Sequence, residues 1–132
     1  MMEAPELREN MVLVYTAGPI TAGSPSERYR NCMRAWHYAM RLWKKGIGVI
    51  CPQMNTFFMD NEEIPYNTFM QADYQMIVKA CGAVLLLPGW EDSKGSCMEK
   101  ALAESRGIPV FKYTELEKLY DYFEVEDAVH SS

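Results

Sequence analysis

The chain has 132 residues and a formal net charge of −5, which suits one packed core of ordinary domain size and leaves no room for a second. Its basic residues read as scattered, so no Lys/Arg face for a nucleic-acid polymer is expected, although one or two donors suffice to hold a single nucleotide. No stretch reaches the roughly 18 consecutive apolar residues of a membrane span, and the acidic start Met1-Met2-Glu3-Ala4-Pro5-Glu6 is unlike a signal peptide, so a cytoplasmic protein with no membrane partner is expected.

The chain then reads as alternating elements. Met11-Val12-Leu13-Val14-Tyr15-Thr16-Ala17 is a continuous apolar run stopped by Gly18-Pro19, the pattern of a strand buried on both faces of a parallel sheet. After a polar stretch from Thr21 to Ser26, a helix is expected over 27–45. Its apolar positions Met33, Trp36, Met40 and Trp43 recur at three- and four-residue spacing, with Tyr29 one turn earlier, and Gly46 ends it. Ile47 to Cys51, closed by Pro52, forms the second strand. Residues 53–66 have no clean period and are expected to be a long loop with a short helix around Thr56 to Met59.

A second helix is predicted over 67–81, then the central strand Ala83-Val84-Leu85-Leu86-Leu87, ended by Pro88-Gly89. A third helix over 94–106 stops at Gly107 before Pro109. Val110-Phe111 makes a last short strand, a helix over 115–123 follows, and the tail after Glu124 is expected to fray. The alternation predicts one α/β domain over residues 1–132, with a core at about 11–123: a doubly wound, Rossmann- or flavodoxin-like parallel sheet of four to five strands with helices on both faces. Ligands in such folds bind past the carboxyl ends of the strands, so the Gly18-Pro19 and Pro88-Gly89-Trp90 turns should face each other across a site.

Candidate chemistry concentrates there. In Ser93-Lys94-Gly95-Ser96-Cys97-Met98-Glu99, a carboxylate stands near a helix start. Ser96 and Glu99 also fit a capping box, with Ser96 as N-cap and Glu99 at N3. In either role the helix dipole is expected to lower the Glu99 pKa, which suits an ionised nucleophile. Asp73 is the second carboxylate, read against a plain solvated helix position. Tyr15, near the end of the first strand, is placed to pack in the core with its hydroxyl reaching the crevice, and Trp90 is placed either to stack on a base or to edge the core. The segment from Gly18 to Ser24 is placed to cradle a phosphate with backbone N–H groups. Neither His37, on a helix, nor His130, in the tail, has a partner for a relay. The four cysteines, Cys32, Cys51, Cys81 and Cys97, show no CxxC spacing, so neither a metal site nor a disulfide framework is expected. There is no GxGxxG or GxxxxGK[ST] segment.

Together, Val14-Tyr15-Thr16-Ala17-Gly18-Pro19-Ile20-Thr21, Asp73, Leu87-Pro88-Gly89-Trp90 and Ser93-x-Gly95-x-x-x-Glu99, with Ala103, Gly107, Pro109 and Val110, resemble the nucleoside 2-deoxyribosyltransferase-like family, including relatives that hydrolyse nucleoside 5′-monophosphates. The resemblance implies that Glu99 is the nucleophile on the anomeric carbon, Asp73 the acid for the departing base, and Tyr15 the orienter of the nucleophile. It implies substrate-binding positions at Gly18, Pro19, Ile20, Ser24, Arg28, Gly89, Trp90, Ser93 and Gly95. A serine at position 93, where relatives acting on free nucleosides carry Asp, favours a 5′-monophosphate, because a carboxylate repels a phosphate and a hydroxyl donates to it. Ala80-Cys81-Gly82 departs from the Ala-Asp that many relatives have before the third strand. The resemblance implies no cofactor and a homodimer or larger homo-oligomer, with Tyr29, Trp36 and Tyr74 suited to its interface. It leaves open a base-exchanging transferase and a nucleotide sensor without turnover.

Overall fold

The computed structural model describes residues 3–20, 23–59 and 63–124; Thr21, Asp60, Asn61, His130 and the tail after Glu124 lie outside them. The described elements are strand β1 (Leu13–Ala17), helix α1 (Pro25–Lys44), strand β2 (Gly48–Ile50), helix α2 (Pro52–Asn55), helix α3 (Tyr66–Ala80), strand β3 (Ala83–Leu86), helix α4 (Lys94–Ser105), strand β4 (Val110–Lys112) and helix α5 (Leu116–Phe123). Single 3₁₀ turns cover Phe57–Met59, Trp90–Asp92 and Tyr113–Glu115.

The strands form a four-stranded parallel sheet in the order β2-β1-β3-β4. This is the expected doubly wound α/β architecture. β1 is central, pairing with β2 from Leu13↔Gly48 to Tyr15↔Ile50 and with β3 from Val14↔Ala83 to Ala17↔Leu86. Because side chains alternate along a strand, β1 and β3 feed two cores. Val14, Ala83, Leu85 and Leu87 pack with α1 and α5 through Ala35, Leu42, Leu116 and Leu119. Tyr15, Ala17, Val84 and Leu86 pack on the other face with Ile77 of α3 and Ala103 of α4. Each fully buried aliphatic side chain stabilises the fold by roughly 1.5–3 kcal/mol.

Helix α1 differs from expectation. It starts at Pro25, two residues early, capped by Ser24, whose Oγ accepts from the Glu27 N–H at 3.2 Å. The face it buries is Cys32, Ala35, Ala39 and Leu42, one position before the predicted stripe. Small residues let the helix lie close on the sheet, so Tyr29, Met33, Trp36 and Trp43 are left at the surface, Tyr29 56% exposed and Trp43 48%. The stretch from Arg28 to Lys45 also holds six of the chain's 13 Lys and Arg residues, so the basic charge is more concentrated than an even scatter. Between β2 and α3, the expected loop contains α2 and a 3₁₀ turn in place of one helix at Thr56 to Met59. Among the described residues no helix is long and apolar enough to cross a membrane.

Candidate active site

β1 runs one way to β2 and β3 lies on its other side, so the chain reverses direction between β1 and β3. The turns leaving these strands meet at that point. The Leu87 N–H donates to the Ala17 carbonyl at 2.8 Å. A Cβ on Gly18 would stand 2.8 Å from the Leu87 Cβ, and one on Gly89 would stand 3.0 Å from the Pro19 Cγ. Gly89 also has φ +87°, a left-handed conformation that side chains resist. Both glycines are therefore required by the close approach of the two turns.

Beside them opens a cavity of about 500 Å³, within the roughly 300–1,000 Å³ of small-molecule sites. Of the positions singled out from the sequence, Gly18, Pro19, Ile20, Arg28, Gly89, Ser93 and Gly95 line it, with Asp73 and Glu99. Two positions fall elsewhere. Ser24 is occupied as the α1 cap, and Trp90 packs against the core between the sheet and α4 with the Lys100 ammonium over its ring. Neither lines the cavity, so Trp90 takes the core-edge role and is not placed to stack on a base. Thr56, Met59, Tyr66, Phe69, Met70, Asp92, Lys94 and Ser96 also line it; none is among the site residues expected from the sequence, where Ser96 is read only as a helix cap. Their signal is weak: Phe69 and Met70 fall inside the helix predicted over 67–81 with nothing to mark them.

Tyr15, Asp73 and Glu99 come together although they lie far apart in sequence. The Tyr15 hydroxyl donates to the Glu99 Oε2. All three are buried, Glu99 at 5% exposure and Asp73 at 7%, which removes the reading of Asp73 as a solvated helix position. The capping box is also corrected. The N-cap of α4 is Ser93, whose Oγ accepts from the Ser96 N–H at 3.2 Å. Glu99 is therefore in the second turn, beyond the strongest reach of the dipole.

Its pKa moves opposite to the expected direction. Burial raises the Glu99 carboxyl from 4.5 to about 8, with the nearby Asp73 charge adding to the effect and the Tyr15 hydrogen bond opposing it. Burial raises Asp73 from 3.8 to about 6, against hydrogen bonds with Tyr15 and Glu99. Burial, then the two carboxylates, push the Tyr15 phenol far above its ordinary value, so it stays a hydroxyl donor. At neutral pH the two acids therefore hold about one proton between them. A buried pair with displaced pKa values in a cleft is the arrangement acid–base chemistry uses.

Ser93 is oriented by its own cap. Its Oγ accepts from both the Ser96 N–H and the Ser96 Oγ, the latter at 2.9 Å, which turns its hydrogen away from the helix. Lys94 and Arg28 bring positive charge to the lining, and Asp92 is the opposing acid. Met59, Tyr66, Phe69 and Met70 add a largely apolar part of the lining, with the Tyr66 hydroxyl and the Met70 sulfur packed close to Gly95. Among the described residues no three His, Cys, Asp or Glu side chains converge as metal ligands.

Residues 12–112 match the family described as a domain of unknown function, DUF4406, and the chain belongs to that family. No curated protein matches it.

Proposed function

Starting from this DUF4406 membership, we propose that the protein cleaves the N-glycosidic bond of (deoxy)nucleoside 5′-monophosphates through a covalent glycosyl-Glu99 intermediate. The observation that carries the reading is the buried Tyr15–Glu99–Asp73 cluster in the strand-end cavity. It is the arrangement implied by the resemblance to the nucleoside 2-deoxyribosyltransferase-like family. Tyr15 holds Glu99 Oε2, leaving Oε1 for the anomeric carbon. Glu99 attacks, the bond from carbon to base nitrogen breaks, and the base leaves with its electron pair and the Asp73 proton. Water then attacks the same carbon, gives its proton to Asp73 and frees Glu99. Two carboxyl groups lining one cavity, one as nucleophile and the other as acid and then base, are what a retaining, covalent route requires.

The Ser93 hydroxyl, Arg28, Lys94 and the α4 N-terminus support a phosphate in the cavity, and the apolar lining from Met59, Phe69 and Met70 supports a base. Ser93→Asp keeps a competent N-cap and places a charge against the phosphate. It is expected to cut kcat/KM for 5′-monophosphates by about 100-fold while sparing free nucleosides, measured by base release from matched pairs. The proposal as a whole is tested by base release from a panel of nucleoside 5′-monophosphates and nucleosides, with and without an acceptor base. Release from monophosphates in water supports it. Turnover only with an acceptor base would make the protein a transferase, and binding without release would make it a sensor.

A second copy is the proposed partner. The α1 stripe of Tyr29, Met33, Trp36 and Trp43 continues onto Met54 and Phe58, the latter 88% exposed. An aromatic- and Met-rich patch of this kind is typical of subunit interfaces. Trp36→Glu with Trp43→Glu is expected to lower the mass seen by light scattering to that of one chain. An unchanged oligomer would place the interface elsewhere.

A further inference from the structure

Gln53 is a buried polar side chain that the proposed chemistry leaves unused. It follows Pro52 at the start of α2, in a segment whose sequence suggested only a loop, and it is 2% exposed. A buried primary amide must find partners for its hydrogens and its oxygen, and this one does. Its Nε2 donates to the Thr16 and Gly18 carbonyls, both at 3.3 Å. Its Oε1 accepts from the Thr16 hydroxyl at 3.1 Å and the Cys51 thiol at 3.5 Å. The two carbonyls settle which end is nitrogen, because the flipped amide would put its oxygen against both.

These carbonyls belong to the edge of β1 that faces β2. β2 pairs with β1 only as far as Tyr15↔Ile50, then Pro52 turns the chain into α2. Carbonyls two residues apart point to the same side of a strand, so Thr16 and Gly18 would be left without a ladder partner there. The Gln53 amide replaces the missing strand. On the opposite edge, the Ala17 carbonyl is held by the Leu87 N–H. The chain is thus clamped from both sides just before Gly18, Pro19 and Ile20 enter the cavity wall.

We infer that Gln53 is a positioning residue: through the Thr16 and Gly18 carbonyls it sets the Gly18–Ile20 segment against the bound nucleotide without lining the cavity itself. The inference rests on the proposed nucleotide reading of the site, and its test has readouts that survive failure of the N-glycosidase activity. Gln53→Glu keeps the shape but loses both donors when ionised. It is expected to raise KM and the calorimetric Kd for a nucleoside 5′-monophosphate at least about tenfold, since small displacements of positioning groups have effects of this size. It is expected to change kcat less than about threefold and to speed amide hydrogen exchange at Thr16, Ala17, Gly18 and Ile20. Thr16→Val, which removes only the hydroxyl on Oε1, should move the same quantities in the same direction by less, and serves if the first variant does not fold. A folded variant with unchanged Kd and unchanged exchange would overturn the inference, as would a fall in kcat at constant KM and Kd. If the wild type binds nucleotide but releases no base, the N-glycosidase proposal fails, and Kd with exchange still decides the role of Gln53.

Discussion

Glu99→Gln is expected to abolish base release and, above neutral pH, to make the protein harder to unfold. The loss follows from the proposed nucleophile: an amide cannot form the glycosyl ester, and removal of a nucleophile costs at least about 10⁴-fold in kcat. The gain in stability follows from burial. The folded-state carboxyl titrates near 8 against an ordinary 4.5, mainly because ionising it inside the protein is unfavourable. The protonated side chain therefore supports the fold fully below about pH 4.5, and this contribution is lost as pH rises through about 8. Raising a folded-state pKa by one pH unit corresponds to about 1.4 kcal/mol. Part of the gain is returned because the variant's amide accepts a weaker hydrogen bond from Tyr15, so a net gain on the order of 2 kcal/mol at pH 9 is expected. Denaturant titrations of both proteins at pH 5 and pH 9 check this, with a difference that is small at pH 5 and grows with pH. Equal stability at pH 9 would mean that Glu99 carries no burial cost.

The second large effect is on pH dependence. The reacting form needs Glu99 ionised and Asp73 protonated, one proton on the pair. With Asp73 near 6 and Glu99 near 8, kcat/KM should be bell-shaped with its maximum close to pH 7. Below the lower limb both acids are protonated and no nucleophile exists. Above the upper limb both are ionised and no proton is available for the base. In the free protein the two acids share that proton, so substrate must draw it to Asp73 as positive charge builds at the sugar carbon. Asp73→Asn removes the acid and the charge that helps raise Glu99. It is expected to lower kcat by about 10²–10⁴-fold and to turn the bell into a single rise whose midpoint lies below 8. Substrates whose bases leave without protonation should lose least. A bell retained in the variant would mean that the limbs belong to other groups.

Much of the architecture was legible because it rests on punctuation and period. Gly18-Pro19, Gly46, Pro88-Gly89 and Gly107 each end an element within a residue or two of the predicted point, and the alternation between them dictates the winding. The meeting of Tyr15 with Glu99 follows from placing strand ends in a known architecture, whereas the presence of Asp73 beside them is implied only by the family resemblance. The misreadings have physical causes. On α1, two stripes one residue apart share the same spacing, and hydrophobic weight favours the large one, whereas close contact with the sheet selects Ala35 and Ala39. On α4, both Ser93 and Ser96 have a suitable partner three residues on; the 3₁₀ turn at Trp90–Asp92 delivers the chain to Ser93 first. The pKa direction of Glu99 depends on burial by other elements, which helix position alone does not report. Gln53 left no signal, since its role exists only because β2 stops short beside β1.

The most direct test of the covalent route is the intact mass of the protein after mixing with a nucleoside 5′-monophosphate whose sugar carries a 2′-fluorine, a substituent that destabilises the oxocarbenium-like transition state and slows release of the intermediate. The expected result is a mass gain equal to the fluorinated phosphopentosyl group, mapped to the peptide containing Glu99 and absent from Glu99→Gln. Base released stoichiometrically with the protein unlabelled at Glu99 would contradict a glycosyl-Glu99 intermediate.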